Sequence, residues 1–331
     1  MTVSLASVPN ITLTQLAYAV AVDTHRHFGA AAAACNVTQP TLSMQLRKLE
    51  VALGVTLFDR SRAPVVATDA GRALLDQARV VLREAAGIAD IRDAAAGVIA
   101  GEVRFGVIPT LAPYLLPRLV PALAARFPQL ELVVEERLTD EVIARLRRDE
   151  LDAGLVATAV GGADVYEQTL FTEPFVGYVS SGHRLAKQTT IKPSDLSLDD
   201  LWLLSEGHCF RTQAVRLCKE RTSRRARSAA ACTVGARFES GNLETLKRLV
   251  EGGAGMTLLP WLAAEEIADS RRALLKPFVT PAPHRTVRLV RRRAFLRQHL
   301  IDVVIEEMMR ALPPQLREKT RVGGQRSARR A

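Results

Sequence analysis

Four cysteines are the side chains in this sequence best suited to covalent chemistry: Cys35, Cys209, Cys218 and Cys232. They are too few to staple a chain of 331 residues, so any bond they form should be reversible and not a scaffold. Cys209 stands in the run Ser205-Glu206-Gly207-His208-Cys209-Phe210-Arg211-Thr212-Gln213-Ala214, after an apolar stretch and at the expected start of a helix. The amides of a helix start, with His208 and Arg211 as neighbours, favour the thiolate, which is the nucleophilic form of cysteine. Cys218 follows nine positions on. The plainer reading of such a pair is two inert cysteines on a packed helix. A zinc site from His208, Cys209, Cys218 and Cys232 fits none of the usual paired-ligand spacings. The other histidines, His25, His27, His183, His284 and His299, are scattered, and there is no P-loop, nucleophile elbow or HExxH. No cofactor, no metal and no enzyme activity are expected.

A second chemistry, recognition of base edges, is suggested near the N-terminus. Thr38 can cap a helix with Pro40 in its first turn, and Gly54 stops it. Within it Leu42, Leu46, Leu49 and Leu53 recur four, three and four apart, so one face is buried and Gln39, Thr41, Ser43 and Arg47 are left outside. A slim face of amide, hydroxyl and guanidinium groups can enter the major groove, and Gln39, Pro40, Thr41, Ser43 and Arg47 are assigned to it. Arg60 and Arg62, in the hairpin-like stretch that follows, are suited to phosphate. The formal net charge of +10 favours a polyanion but would also describe any basic soluble protein. Two basic runs, Arg216 to Arg227 and Arg317 to Arg330, lie outside the segment assigned to DNA.

These residues need elements to hold them. Residues 1–68 read as short helices and a hairpin: Leu13, Leu16, Ala17 and Val20 have helical spacing, and Ala30 to Ala34 form a helix-prone run. Residues 69–101 read as a linker helix and hinge, with Leu74, Ala78, Val81, Ala85 and Ile88 as a coiled-coil seam and small residues from Ala94 to Gly101. Over 102–311 strands and helices alternate: strands at Val103–Ile108, Leu130–Glu135 and Asp152–Ala157, helices at Ala112–Arg126 and Asp140–Arg148. Apolar stretches follow at Phe175–Val179, Trp202–Leu204 and Met256–Leu259, then a strand at Thr286–Val290 and a helix at Phe295–Ala311. The alternation predicts a mainly parallel α/β sheet with ligands at the carboxyl ends of its strands. Residues 312–331 read as a basic, disordered tail. With no secretory signal and no apolar run long enough to span a bilayer, a cytoplasmic protein is expected.

The stretch from Ala31 to Arg60 resembles the winged helix-turn-helix of LysR-type regulators. The matches are Ala31, Ala32, Thr38, Gln39, Pro40, Ser43, Leu49, Glu50, Leu53, Gly54, Leu57, Phe58 and Arg60, then Thr68, Ala70 and Gly71. The resemblance covers residues 11 to 311. It implies an α/β protein with an N-terminal winged helix-turn-helix, a linker helix, and a regulatory domain of two α/β lobes like periplasmic binding proteins. It also implies double-stranded promoter DNA and RNA polymerase as partners and a homo-oligomer, usually a tetramer. At positions 30, 33 and 34, often polar in the family, this chain has alanine, which weakens backbone contacts by the second helix. Cys35 falls at an apolar core position and behaves there as a small hydrophobe.

The segment around Cys209 is similar to the redox centre of the peroxide-sensing members of the same family. That resemblance implies that Cys209 reacts with hydrogen peroxide and that Cys218 resolves it to a disulfide. Thr110 is matched to a peroxide-positioning threonine, and Thr139 to a second one. Thr212 departs from the acidic residue expected after the arginine, which affects the tuning of Cys209. If residues 209 to 218 were one regular helix, the two Cα atoms would stand roughly 13.5 Å apart, whereas a disulfide needs less than about 7 Å. Oxidation would then demand local refolding, a natural trigger for a second conformation. Cys232 is read as structural, with a role as competing resolving thiol left open. The alternative is a LysR-type regulator that binds a small metabolite in the interlobe cleft, with both cysteines structural. A thiol peroxidase is disfavoured by a DNA-binding domain preceding the cysteine pair.

Overall fold

The computed structural model describes residues 10–95, 98–162, 164–218, 241–292 and 298–317, with side chains left undescribed over 89–95. Cys232, most of the first basic run and nearly all of the second lie outside these residues. The chain divides into two compact units, meeting between Val98 and Ile99.

In the first unit, α1 (Leu13–His25) begins with a reciprocal cap in which Gln15 N–H donates to the Thr12 hydroxyl and the Gln15 side chain accepts from Thr12 N–H. Helix α2 (Phe28–Ala34) is capped by His27, and α3 (Gln39–Leu53) by Thr38, with Pro40 in its first turn and Gly54 in the left-handed conformation at its end, φ 68°. The wing pairs β1 (Phe58–Asp59) with β2 (Val66–Ala67). A long helix, α4 (Asp69–Ala95), follows. It approaches the wing closely: a Cβ at Gly71 would collide with the carbonyl oxygen of Leu57. Leu16, Val22, Leu42, Leu46, Leu49, Leu57, Phe58 and Leu75 form the core, each under a tenth exposed. The expected seam of α4 is thus divided. Leu75 and Ala78, with Leu74 and Leu82 partly buried, pack against the unit's own core, and Val81 and Ile88 remain exposed. Leu75, which the seam omitted, is 1% exposed within that core.

The second unit holds an eight-stranded sheet among the described residues, in the order β4-β3-β5-β10-β6-β8-β7 with β9 also on β6. Its first lobe is β3 (Gly101–Val107), α5 (Ala112–Arg126), β4 (Leu130–Glu136), α6 (Thr139–Arg147) and β5 (Ala153–Val156). The 15-residue strand β6 (Val165–Val179) leaves this lobe and enters the second. There follow β7 (Leu201–Trp202), α7 (Cys209–Leu217), α8 (Leu243–Glu251), β8 (Met256–Pro260), α9 (Trp261–Glu265) and β9 (Leu275–Pro277). The chain returns by β10 (His284–Arg292) to α10 (Gln298–Ala311). The sheet is mixed, which corrects the expectation of a mainly parallel one. Strands β3, β4 and β5 pair in parallel, as do β7 and β8, but β10 and β6 run antiparallel to their neighbours. The crossing strands are antiparallel because a chain that goes out on β6 must come back on β10. Leu312 and Leu316 are buried and residues 314–317 form a helical turn, which corrects the expectation of a disordered tail for residues 312–317; the rest of that tail lies outside the described residues. No helix of the described residues is long and apolar enough to cross a membrane.

Candidate functional site

Helix α7 carries the redox candidates because the chain turns sharply just ahead of it. Gly207 has φ 91°, a conformation that side chains resist, and a Cβ there would press on Leu138 at 3.0 Å. His208 takes the cap position in extended conformation, without a side-chain cap bond, and Cys209 is the first helical residue. Phe210 and Ala214 bury the inner face. Cys209 is half-buried against the core, Cys218 is 4% exposed at the far end of the helix, and both thiols are free. Burial, with a smaller effect of Asp200, pushes the Cys218 thiol up to about 11, so it stays protonated near neutrality.

The neighbours of Cys209 differ from the sequence reading in one respect. His208 is buried and desolvation lowers its pKa, so its ring is uncharged near neutrality. Arg211 donates from Nη1 to the carbonyl oxygen of Leu204 at 3.0 Å. The two expected cations therefore reduce to one guanidinium committed to the backbone and a neutral imidazole.

Each threonine is linked to the start of α7 through an intermediate residue. Thr110, 2% exposed, accepts from Arg285 Nη1 at 2.7 Å, and its carbonyl accepts from Arg285 Nη2 at 3.0 Å. Arg285 lies over the Phe210 ring at 5.8 Å, one residue from Cys209. Its charge is balanced by Glu173 in a wholly buried pair at 2.7 Å, and the second Glu173 oxygen accepts from Leu262 N–H at 3.0 Å. Thr139 opens α6 immediately after Leu138, the residue that meets Gly207. Its hydroxyl is buried and has no hydrogen-bond partner among the described residues. Gln213 ties α7 to the first lobe by donating to the Ala157 carbonyl at 2.7 Å, while its own side-chain oxygen is buried and unpartnered among the described residues. Glu173 and Arg285 were missed from sequence. Neither position stood out, since β6 also holds Glu167 and β10 also holds Arg288, Arg291 and Arg292. No group of three or more metal-ligating side chains occurs among the described residues.

In the first unit Gln39, Pro40, Thr41 and Arg47 are exposed on α3 and Ser43 is half-buried. The Thr41 hydroxyl lies 2.8 Å from that of Thr38, within the helix cap. Arg62 has 72% of its side chain exposed and pairs with Asp59 at 3.1 Å. Arg60 is more constrained than expected of a phosphate contact: Nη2 pairs with Glu50 at 2.8 Å and the guanidinium stacks over Phe28 at 5.2 Å. It fastens the wing to α3 and α2, because Glu50 also accepts from Leu57 N–H at 2.8 Å.

Comparison with known proteins bears on both units. Residues 13–72 match the model of the bacterial regulatory helix-turn-helix protein, lysR family, and residues 96–313 match the LysR substrate binding domain. The DNA-binding transcriptional dual regulator OxyR of Escherichia coli is 38% identical over 277 residues, covering 84% of this chain and 88% of that protein. The hydrogen peroxide-inducible genes activator of Haemophilus influenzae is 36% identical over the same length, covering 84% and 89%. Among solved structures, a full-length OxyR variant of Pseudomonas aeruginosa superimposes with TM-score 0.71 at 35% identity, covering 90% of this chain and 98% of that one. A peroxide-bound OxyR variant of Corynebacterium glutamicum gives 0.59 at 30% identity, covering 92% of each. The chain belongs to the LysR family of bacterial regulators, proteins that bind DNA and are not enzymes, and its likeness within that family is to OxyR.

Proposed function

We propose that the chain is a peroxide-responsive transcriptional regulator in which Cys209 and Cys218 form a reversible switch. The observation that carries this reading is the start of α7. A half-buried thiol opens the helix, the Arg285 that binds Thr110 lies over the ring of the next residue, and Thr139, whose hydroxyl has no partner among the described residues, follows the leucine that meets Gly207. A small polar molecule with two donors and two acceptors suits unsatisfied hydroxyl and amide groups better than an apolar one. The Cys209 thiolate attacks one peroxide oxygen; the S–O bond forms, the O–O bond breaks, and hydroxide leaves as water on taking a proton. The sulfenic acid then condenses with the Cys218 thiol, losing water to give the disulfide. Reduction of that disulfide by a cellular dithiol resets the switch.

On this reading the first unit binds double-stranded promoter DNA through Gln39, Pro40, Thr41, Ser43 and Arg47, with Arg60 and Arg62 near phosphate. The exposed Val81 and Ile88 of α4 support a homo-oligomer, a tetramer by analogy with the family, working with RNA polymerase in the cytoplasm. The two-lobed sheet favours a second reading, a metabolite bound between the lobes with idle cysteines. Stoichiometric peroxide followed by thiol mass spectrometry and a promoter footprint separates the two. Cys209→Ser should abolish the peroxide-dependent change in footprint, and Cys218→Ser should let Cys209 oxidise without reaching the disulfide state. A full response from Cys209→Ser leaves the metabolite reading in its place.

A further inference from the structure

The outward face of α3 has an apolar centre that the expected DNA contacts do not include. Leu42, Leu46 and Leu49 define its buried direction. At about 100° per residue, Pro40, Met44, Arg47, Lys48 and Val51 fall within about 50° of the opposite direction, with Met44 and Val51 nearest its middle. Ser43 lies roughly a quarter-turn away and is half-buried. The Met44 side chain is 50% exposed and that of Val51 81% exposed. Arg47 and Lys48 flank Met44 and are exposed too.

We propose that Met44 is a sequence-reading residue, packing its thioether chain against the C5-methyl group of a thymine in the major groove. The assignment rests on the reading of the first unit as a binder of duplex DNA. Charge identifies the occupant of this face. The acidic residues between positions 10 and 68 are Asp23, Glu50 and Asp59, and each is already paired with an arginine: Arg79, Arg60 and Arg62 respectively. No carboxylate among the described residues pairs with Arg47 or Lys48. An apolar centre inside an uncompensated cationic rim suits a polyanion that also presents apolar surface, and in the major groove of DNA that surface is the thymine methyl. Met44 belongs to the second turn of α3, and docking of this motif brings the N-terminal residues of the recognition helix to the bases. Val51 stands roughly 10 Å further along the axis, beyond that reach. The unbranched, polarisable side chain of methionine adapts to a methyl group without demanding one fixed geometry.

The test uses the full-length protein. A duplex is first selected from a random library by that protein, and each thymine in it is then replaced singly by deoxyuridine, which removes only the methyl group. Binding is measured at fixed low salt for the native protein and for Met44→Ala, a substitution at an exposed helical position that alanine fills readily. The native protein should lose about fourfold in affinity at one thymine per half-site, the equivalent of burying one methyl group, and Met44→Ala should be indifferent to that replacement. If Met44→Ala shows the same methyl dependence as the native protein at every thymine, or the native protein shows none, the assignment is wrong. A Met44→Ala protein that binds no duplex also overturns it, since a contact of this size accounts for only about fourfold. So does a change in oligomeric state with DNA affinity intact, which would mark the face as a protein contact. Failure of the native protein to enrich any duplex overturns the DNA reading itself, and the assignment with it.

Discussion

Helices α3 and α7 carry the two halves of the proposed function, and they are finished in opposite ways. Helix α3 has 15 residues, a threonine cap, a proline in its first turn and a left-handed glycine at its end. Each device satisfies orphan backbone groups or fixes a dihedral angle, so both ends of the helix are set by its own sequence while Leu42, Leu46 and Leu49 anchor it to the core. Helix α7 has nine residues, no side-chain cap at His208, and ends at Cys218 in extended conformation with no glycine stop. It holds its shape through what it lies on: Phe210 against Phe175, and Arg285 over the Phe210 ring. A reading surface needs permanence, whereas on the proposed chemistry α7 has to unwind to join its two ends. Capping residues record that distinction in the chain.

Breaking the platform under α7 should have the largest effect. Glu173→Ala leaves the Arg285 guanidinium buried without its counter-charge and should destabilise the second unit by about 3–5 kcal/mol. Thermal unfolding should show that transition shifted down and the transition of the first unit unmoved; equal shifts in both would mean that the units do not melt independently. In the first unit Thr38→Ala removes the α3 cap and should cost about 1 kcal/mol, leaving the rate of thiol oxidation as it was. Substituting α7 itself sharpens the contrast. Ala214→Gly should weaken that helix by about 1 kcal/mol and accelerate closure of the disulfide from the sulfenic acid about fivefold, with formation of the sulfenic acid unaltered. Stopped-flow mass spectrometry reads both steps, and an unchanged closure rate would show that unwinding of α7 does not limit it.

The smallest effect concerns pH. His208 has its folded-state pKa held by burial below the ordinary value of about 6.5, so its contribution to stability is present above that value. It is lost as pH falls from about 6.5 through the depressed folded-state value. His208→Gln should therefore flatten the decline in melting temperature of the second unit between neutral and mildly acidic pH. A decline as steep in the variant as in the native chain would assign the acid sensitivity to other groups.

What could be read from sequence follows the same division. The start and stop of α3 are written in Thr38, Pro40 and Gly54, all within one segment, and α5 has the bounds its spacing predicts. The start of α7 at Cys209 was expected from the apolar stretch ahead of it, with no capping side chain to mark it. The first ten residues of β6 were not: Tyr166, Glu167, Gln168 and Thr169 look like a loop, and their strand conformation comes from pairing with β10 more than a hundred positions later. Glu173 and Arg285 escaped for that reason also, since each makes sense only beside the other. The stripe on α4 was read as a single seam, whereas part of it packs on the unit's own core, because a stripe of apolar residues does not say which side of it that core will claim.

The separation of the two thiols sets a race. On the proposed chemistry the sulfenic acid at Cys209 must wait while a nine-residue helix opens and frees a buried Cys218. During that wait a second peroxide molecule can carry the same sulfur to the sulfinic acid, from which no ordinary dithiol returns it. Helix opening proceeds at a rate fixed by the fold, whereas the second oxidation accelerates with peroxide concentration. The stability of α7 therefore defines a ceiling on dose: below it exposure is recorded and erased, and above it a growing fraction of the molecules is permanently removed from signalling.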